Sequence, residues 1–533
     1  MSVIVTKSRP LLVRPSTEQS TPTTPDHIKV SSFDKALAFS AFSSFHVFDG
    51  AIHEPAETIK RALSRALDHF RLIAGRVVVG DDDGELSIAC TGEGVEFVAA
   101  TANCALVDVK LFDPPFGHTY TCIRSQVRAD HVKVSSFDKP LAFSSSSSFH
   151  VFDRAIHEPA ETIKRALSRA LDHFRLIAGR VVVGDDDDGD LCIACTGEGV
   201  EFVAATASCA LVNVKLFDPP FAALLKDLAV EYPEASCRVA DPLLLMQVTE
   251  FSCGAFVLGV TWNHVVADGT GIALLLRAVG ELARGLDRPS IPPVTCADQL
   301  LPDLPPLAAA IERTMVGQLK PKEYANLDIT VPTSTIDRIK AELGDELGAP
   351  CTVFEAVTAV MWQCRSRVIM PDDDPGTPAP LVFAADARRA VGAAEGYYSN
   401  CVTTQVVAPP PTIREVAEGD IKDVVKLIRS SKEQMPATFT GEGEESVPVP
   451  LPCVETLFGH NGLFVTSWRN LGFEATDFGG GTPARVMCHA GPEAVPACVV
   501  CLPCRGKGGA NVLSRFLKEE HGGAFLAELA KFT

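Results

Sequence analysis

A mixed α/β (α+β) protein built in two halves is the fold class this sequence predicts, and three observations predict it. Strand-type and helix-type patterns are mixed along the chain, which excludes an all-helical or an all-β architecture. A Pro-rich stretch, Asp287 to Pro306, divides the pattern into two sets and reads as a linker. A block near the N-terminus is written twice: His27 to Phe116 recurs as His131 to Phe221 with about nine substitutions and one inserted Asp. The 533 residues shrink to about 429 once one copy is set aside, a natural size for two domains.

Taken in order, an opening strand Val3 to Val13 precedes the first copy, which breaks off at Gly117. The second copy is expected to lack such a strand, so that two copies compete for one docking surface and the first is surplus. Within the second copy, Glu158-Pro159 starts a helix, because proline is tolerated in a first turn. Ile163, Leu167, Ala170, Leu171 and Phe174 fall on one face at helical spacing, and Gly179 is expected to end the element. Arg180 to Val183 begins a strand, Asp185 to Asp188 with Gly189 makes a solvated turn, and Leu191 to Cys195 returns as a short strand. The acidic run lacks the spaced ligands and distal Glu of a calcium loop. Leu243 to Phe251 and Ala255 to Thr261 are β-rich runs joined at Cys253-Gly254, a hairpin signal. Gly271 to Leu286 is an apolar helix. Beyond the linker come a helix Val353 to Arg367, an acidic loop Pro371 to Pro380, a loop Gly441 to Pro452 and a C-terminal helix Ala524 to Phe532. The domain division is 1–26 for the opening segment, 27–130 for the first copy, 131–290 for the first domain, 291–320 for the crossover and 321–533 for the second domain.

Charge narrows the partners. Forty-eight Lys plus Arg against 67 Asp plus Glu give a net charge of −19, which argues against a nucleic-acid backbone or an anionic membrane, since both need a basic field. No apolar run reaches the 18 residues of a membrane span, and Ser2 to Lys7 runs into Pro10 without a signal-peptide core. Seventeen cysteines, an odd number spread through a long chain, read as reduced thiols in a cytoplasmic protein. Cys498, Cys501 and Cys504 have metal-like spacing, but they sit in the apolar run from Val495 to Pro503, where buried strand thiols are favoured over a zinc site. No metal is expected.

Chemistry concentrates in Thr261-Trp262-Asn263-His264-Val265-Val266-Ala267-Asp268-Gly269-Thr270-Gly271. A strand ends at a histidine, Asp-Gly follows, and a helix begins at once. A rigid strand end holds a side chain while loops leave room for a substrate. A neutral histidine there takes a proton from a hydroxyl or an amine near neutral pH. Asp268 has two readings, orienting the imidazole or holding the turn through a buried ion pair. Cysteine or serine nucleophiles are the rival mechanism, but no Gly-x-Ser-x-Gly elbow accompanies them.

His264-Val265-Val266-Ala267-Asp268-Gly269 resembles the His-x-x-x-Asp-Gly mark of the plant BAHD acyltransferases. Asp477-Phe478-Gly479-Gly480-Gly481 is similar to their second mark, Asp-Phe-Gly-Trp-Gly, with Gly480 in place of the tryptophan. Further matches are His173 to Arg180 (Leu176 standing where the family often has Pro), Asp386-Ala387-Arg388, Tyr397-Tyr398-Ser399-Asn400 and Val465-Thr466-Ser467-Trp468. The resemblance implies two chloramphenicol-acetyltransferase-like domains with mixed sheets and a channel between them. It implies acyl-CoA as co-substrate, no bound cofactor, and a small alcohol or amine acceptor from plant specialised metabolism. By that analogy His264 is the general base, Thr466 and Trp468 donate to the oxyanion, and Asp268 pairs with an arginine, for which Arg388 is the candidate. Gly269, Asp477, Phe478, Gly479 and Gly481 are then structural. A monomer is expected. A second reading, from another class, is a non-catalytic binding or scaffold protein of the same fold, crippled by the repeated block; a fused gene leaves the same pattern.

Overall fold

A computed structural model describes residues 5–7, 11–13, 27–29, 53–69, 73, 76–79, 86–89, 95–97, 100–102, 116–123, 131–183, 191–218, 221–232, 237–317, 324–344, 350–371, 373–440, 457–489 and 495–532. The acidic turn Asp185 to Asp188, the loop Gly441 to Pro452 and Phe70 lie outside them. The chain divides into two compact units, Met1–Pro114 and Pro115–Thr533.

The first unit holds β1 (Val5–Lys7), β2 (Leu11–Val13), β3 (His27–Lys29), α1 (Pro55–His69), β4 (Arg76–Val79), β5 (Leu86–Ala89), β6 (Val95–Phe97) and β7 (Ala100–Ala102). The opening segment runs antiparallel to the end of the first copy, Val5 opposite Ala102 and Leu11 opposite Phe97. Strands β3, β5 and β4 form a small sheet.

The second unit begins with β8 (Phe116–Ile123), β9 (His131–Lys133), β10 (Ser145–Phe152), α2 (Pro159–Leu171), β11 (Arg180–Val183), β12 (Leu191–Ala194), β13 (Val200–Ala207), β14 (Leu244–Phe251), β15 (Phe256–Asn263) and α3 (Gly269–Ala283). It continues with α4 (Pro306–Gly317), β16 (Leu327–Val331), α5 (Thr333–Leu343), α6 (Val353–Ile369), β17 (Leu381–Asp386), β18 (Val402–Val406), α7 (Ile413–Glu418) and α8 (Ile421–Gln434). The last elements are α9 (Ala437–Thr440), β19 (Leu463–Ser467), β20 (Arg485–His489), β21 (Ala497–Cys501), β22 (Ala510–Arg515) and α10 (Gly522–Ala530).

Two six-stranded mixed sheets result. One has the order β20-β10-β15-β14-β13-β8 and the other β16-β22-β21-β19-β17-β18. In each, one or two parallel pairings interrupt an otherwise antiparallel ladder. The first sheet buries Met246, Leu258, Val260 and Trp262 under α2 and α3, and the second packs Phe383, Val465 and Val500 against α6. Ile163, Leu167, Leu171 and Phe174 are fully buried, each stabilising by about 1.5–3 kcal/mol relative to exposure.

Three expectations change. The second copy does not lack an edge strand: β8 lies antiparallel along β13, Ile123 opposite Val200 and Phe116 opposite Ala207. Those residues had been assigned to the first block, yet they take on the second copy the place that β1 and β2 take on the first. An exposed edge of N–H and C=O groups accepts any extended segment, so ladder bonding needs little sequence signal. The segment 321–533 also returns one strand to the first sheet, β20, which pairs with β10. Third, α2 stops at Leu171, and residues 172–179 proceed through tight turns in which Ile177 N donates to Phe174 O and Gly179 N to Leu176 O.

The repeated helix shows what context contributes. Ile163 is 0% exposed, whereas its counterpart Ile59 is 47% exposed. Leu67 of the same helix is buried, with the partly buried Leu63, Val95 and Phe97 packed against it. The repeat ends before β14, β15 and α3, so in sequence only the second copy is followed by them, and Ile59 on α1 stands exposed.

Candidate active site

Strand β15 carries Trp262 inward and delivers His264 at its end. The turn that follows is fastened by Trp262 Nε1 donating to Ala267 O at 3.0 Å and by Asn263 Oδ1 accepting from Val265 N at 2.9 Å. Asp268 then caps α3, its Oδ1 accepting from Gly271 N at 3.0 Å, the geometry expected of a helix N-cap carboxylate. Gly271 is required here: a Cβ at that position would lie 2.0 Å from Tyr398 O. Gly269 faces Leu471 at similarly close range.

His264 is half-buried and held from two sides. Its backbone N donates to Ser144 O at 2.8 Å, and its ring meets Asn400, the last residue of the Tyr397–Asn400 run. Asn400 Nδ2 donates to His264 O and to Asp138 Oδ1, both at 2.7 Å. Both partners are acceptors, so the amide oxygen is the atom 3.1 Å from His264 Nδ1. Nδ1 therefore carries the ring proton, and Nε2 keeps its lone pair. Burial lowers the His264 pKa below its usual value, while Asp268 and Asn400 partly oppose the shift, so the ring is neutral at pH 7. Asp138 completes the chain: it accepts from Asn400 N at 3.1 Å and from the Ser135 backbone and hydroxyl. Burial pushes its carboxyl up to about 6, against the pull of these hydrogen bonds.

Asp268 points away from His264. It is 1% exposed and forms a two-pronged ion pair with Arg388, Oδ1 to one guanidinium nitrogen and Oδ2 to the other, each at 2.9 Å. Oδ2 also accepts from Cys401 N at 3.0 Å. Burial raises the Asp268 pKa, but the Arg388 charge and these bonds outweigh it and leave the carboxyl below its usual value. Arg388 additionally donates to the carbonyls of Tyr397 and Ser399, tying the 397–401 segment to the histidine turn.

Strand β19 brings the second half to the same place. The Trp468 ring lies 6.4 Å from Trp262 and 5.4 Å from Phe473, and Trp262 lies 6.3 Å from His264. Thr466 sits two residues earlier on that strand, half-buried. The Asp477–Gly481 run is elsewhere. Asp477 Oδ1 accepts from Gly479 N and Gly481 N at 2.8 Å, and its carbonyl accepts from Arg284 at the far end of α3. Gly280 abuts Asp477, eleven residues along α3 from Gly269, which puts the loop about 17 Å from the histidine end. Phe478 is buried edge-on to Phe152 at 5.3 Å. Gly480 lies under Arg154-Ala155-Ile156, where a Cβ would meet Ile156 Cγ2 at 2.8 Å.

The structure thus joins His264, Asp268, Arg388 and Trp468 and sets Asp477 to Gly481 apart. Asn400 and Asp138 were not singled out from sequence as site residues. The matched Tyr397–Asn400 run was the available signal for one; Ser135-Ser136-Phe137-Asp138 gave none.

Most of the described cysteines are buried; Cys253, at the β14–β15 turn, is exposed, and the Leu211 N–H lowers its pKa below the usual thiol value. Burial pushes Cys237, Cys296, Cys364 and Cys401 up to about 12, so they rest as thiols. Cys498 and Cys501 share β21 but are three residues apart, so they face opposite sides, and no group of three or more His, Cys, Asp or Glu among the described residues is placed to hold a metal ion. No described helix is long and apolar enough to cross a membrane.

The model of the Transferase family matches residues 3–122 and again 122–528. Acyl transferase 15 of Oryza sativa subsp. japonica is 40% identical over 420 residues, covering 76% of this chain and 94% of the relative. Myricetin 3-O-glucosyl 1,2-rhamnoside 6'-O-caffeoyltransferase AT1 of Crocosmia x crocosmiiflora is 31% identical, covering 70% and 88%. Among solved structures, vinorine synthase aligns with a TM-score of 0.58 at 20% identity over 78% of this chain and 98% of its own. F. sporotrichioides TRI101, complexed with coenzyme A and T-2, gives 0.56 at 17% identity, over 75% and 98%.

Proposed function

The chain belongs to the Transferase family, the BAHD acyltransferases, with their chloramphenicol-acetyltransferase-like fold, and from that premise we propose a mechanism in which His264 is the general base of acyl-CoA-dependent transfer. The observation that carries it is the Asn400 contact, which leaves the unprotonated His264 Nε2 as the free ring nitrogen. Nε2 takes the proton of an alcohol or amine acceptor as the acceptor heteroatom attacks the thioester carbonyl carbon. The tetrahedral oxyanion is met by Thr466 and Trp468, whose strand reaches the histidine through Trp262. Collapse breaks the C–S bond, and the imidazolium returns the proton to the departing CoA thiolate. No acyl-enzyme is formed, in keeping with the Cys401 thiol beside Asp268, which burial keeps protonated.

Asp268 and Arg388 hold the turn that aims His264, and Gly269 and the Asp477–Gly481 loop, with Phe478, Gly479 and Gly481, shape the structure without moving protons. The half formed by residues 131–290 supplies the base, and 321–533 supplies Trp468 and Arg388; 291–320 crosses between them. One large apolar cluster is drawn wholly from 321–533, while the other joins residues of 131–290 to Tyr398, Phe473, Phe478 and Val486. Caffeoyl and benzoyl transferases among the relatives point to an aromatic acyl group and a plant specialised metabolite as acceptor. A cytoplasmic monomer suits the many reduced thiols.

Incubating the purified protein with acetyl-CoA, malonyl-CoA and hydroxycinnamoyl-CoAs against a panel of alcohols and amines tests the reading. Acylated product with release of free CoA is expected. Absence of product across the panel, from folded protein, would favour the scaffold reading.

A further inference from the structure

The Asp138 carboxylate is the one charged group in the chain of contacts behind His264 that the mechanism leaves without a task. It is 2% exposed and surrounded by donors on both oxygens: Ser135 N and Oγ on Oδ2, and Asn400 N and Nδ2 on Oδ1. It faces no arginine or lysine at ion-pair distance among the described residues. Its partner Asn400 stands 262 positions away in sequence, so the carboxylate ties the start of the first half to the segment that bears Arg388.

The consequence follows from the symmetry of an amide. Asn400 turned by 180° would present its oxygen to the Asp138 carboxylate and to the His264 carbonyl, two acceptors, and its NH2 to His264 Nδ1. The imidazole would answer by moving its proton to Nε2, where it would block the base. The His264 carbonyl opposes that turn with one neutral hydrogen bond. Asp138 opposes it with a charge-assisted one, roughly twice as strong.

We propose that Asp138 is a positioning residue for acyl transfer: by holding Asn400 Nδ2 it keeps the amide oxygen on His264 Nδ1 and so keeps the lone pair at Nε2. This rests on His264 being the base, but the two ideas fail separately, because the tautomer is read without turnover. Full-length protein labelled with ¹⁵N-histidine reports it, the His264 signals being assigned by their loss in His264→Gln. Wild type should show a protonated Nδ1 and a bare Nε2.

Asp138→Ala should shift His264 toward the Nε2-protonated form and lower kcat roughly 10- to 100-fold, the range of a lost hydrogen bond to a charged group, with KM for the acyl-CoA little changed. Asp138→Ser leaves a hydroxyl for Ser135 and also withdraws the carboxylate from Asn400. Whichever of the two folds must show the shift. Asp138→Asn, which keeps an oxygen for Asn400 Nδ2, should retain the wild-type tautomer and recover most of kcat. A folded Asp138→Ala or Asp138→Ser protein with the wild-type tautomer would overturn the proposal, as would a tautomer shift in Asp138→Asn equal to that in Asp138→Ala.

Discussion

Replacing Asp268 by Asn separates a structural carboxylate from a catalytic one. Four N–H donors converge on Asp268: Gly271 N and one Arg388 nitrogen on Oδ1, Cys401 N and the other Arg388 nitrogen on Oδ2. Asparagine caps helices as well as aspartate does, so α3 keeps its N-cap. Whichever way the new amide turns, however, its NH2 faces one guanidinium N–H and one backbone N–H. Arg388 is left buried beside a neutral donor, and breaking a buried pair from one side costs about 3–5 kcal/mol. Urea denaturation at pH 7 should show that loss, and residual acyl transfer should track the folded fraction. The sign of the pH dependence is fixed too. The folded pKa of Asp268 lies below the usual value of 3.8, so its contribution is present above that pH and is lost as pH falls through the folded value. The gap between wild type and variant must therefore close in acid. A variant as stable as wild type whose turnover fell 10²- to 10⁴-fold, the size of a lost general base, would refute this reasoning and place Asp268 in the chemistry.

Gly480→Trp supplies the tryptophan of the Asp-Phe-Gly-Trp-Gly mark that the run resembles, but Ile156 and the Arg154 carbonyl close over the site; the ring should cost about 1–3 kcal/mol, seen as a lower melting temperature, and an unchanged one would mean the 154–156 segment yields freely. Gly271→Ala drives a Cβ into Tyr398 O and should reduce stability and turnover together, measured by melting and by product formation on the same sample. Glu312 on α4 is buried, its Oε2 has no partner among the described residues, and burial pushes it up to about 8. Its folded pKa is raised above 4.5, so wild type should lose on the order of 4 kcal/mol as pH rises from 4.5 through 8, while Glu312→Gln should lose little over that window in urea midpoints. Removing residues 1–114 leaves β8 on β13, so the shortened chain should stay monodisperse on size exclusion and keep its acyl transfer; aggregation would show that the first unit is needed.

Local chemistry was the legible part of this sequence. A β-rich run ending at His264 and an Asp-Gly turn opening an apolar helix are set by neighbours within ten residues, and both elements lie within three residues of expectation. The Asp268–Arg388 pair was reachable only through the resemblance, since nothing in residues 264–271 specifies an arginine 120 positions on. Asn400 and Asp138 were harder, because a Ser-Asn and a Phe-Asp pair read as ordinary turn residues until the fold brings them together. Strand β8 escaped notice because its Gly117-His118-Thr119-Tyr120-Thr121 core has little apolar alternation and owes its conformation to the open edge of β13. Ile59 and Ile163 make the general case: in nearly identical sequences one isoleucine is buried and its counterpart exposed, and only the buried one lies in the copy that β14, β15 and α3 follow.

His264→Ala, assayed with saturating acyl-CoA and an accepted alcohol or amine, tests the central claim most directly. The substitution removes Nε2 while leaving the Trp262, Ala267 and Asp268 contacts that hold the turn. The expected result is a melting temperature close to that of wild type and a kcat lower by roughly 10²- to 10⁴-fold. Wild-type turnover from folded His264→Ala protein would contradict the assignment of this histidine as the base.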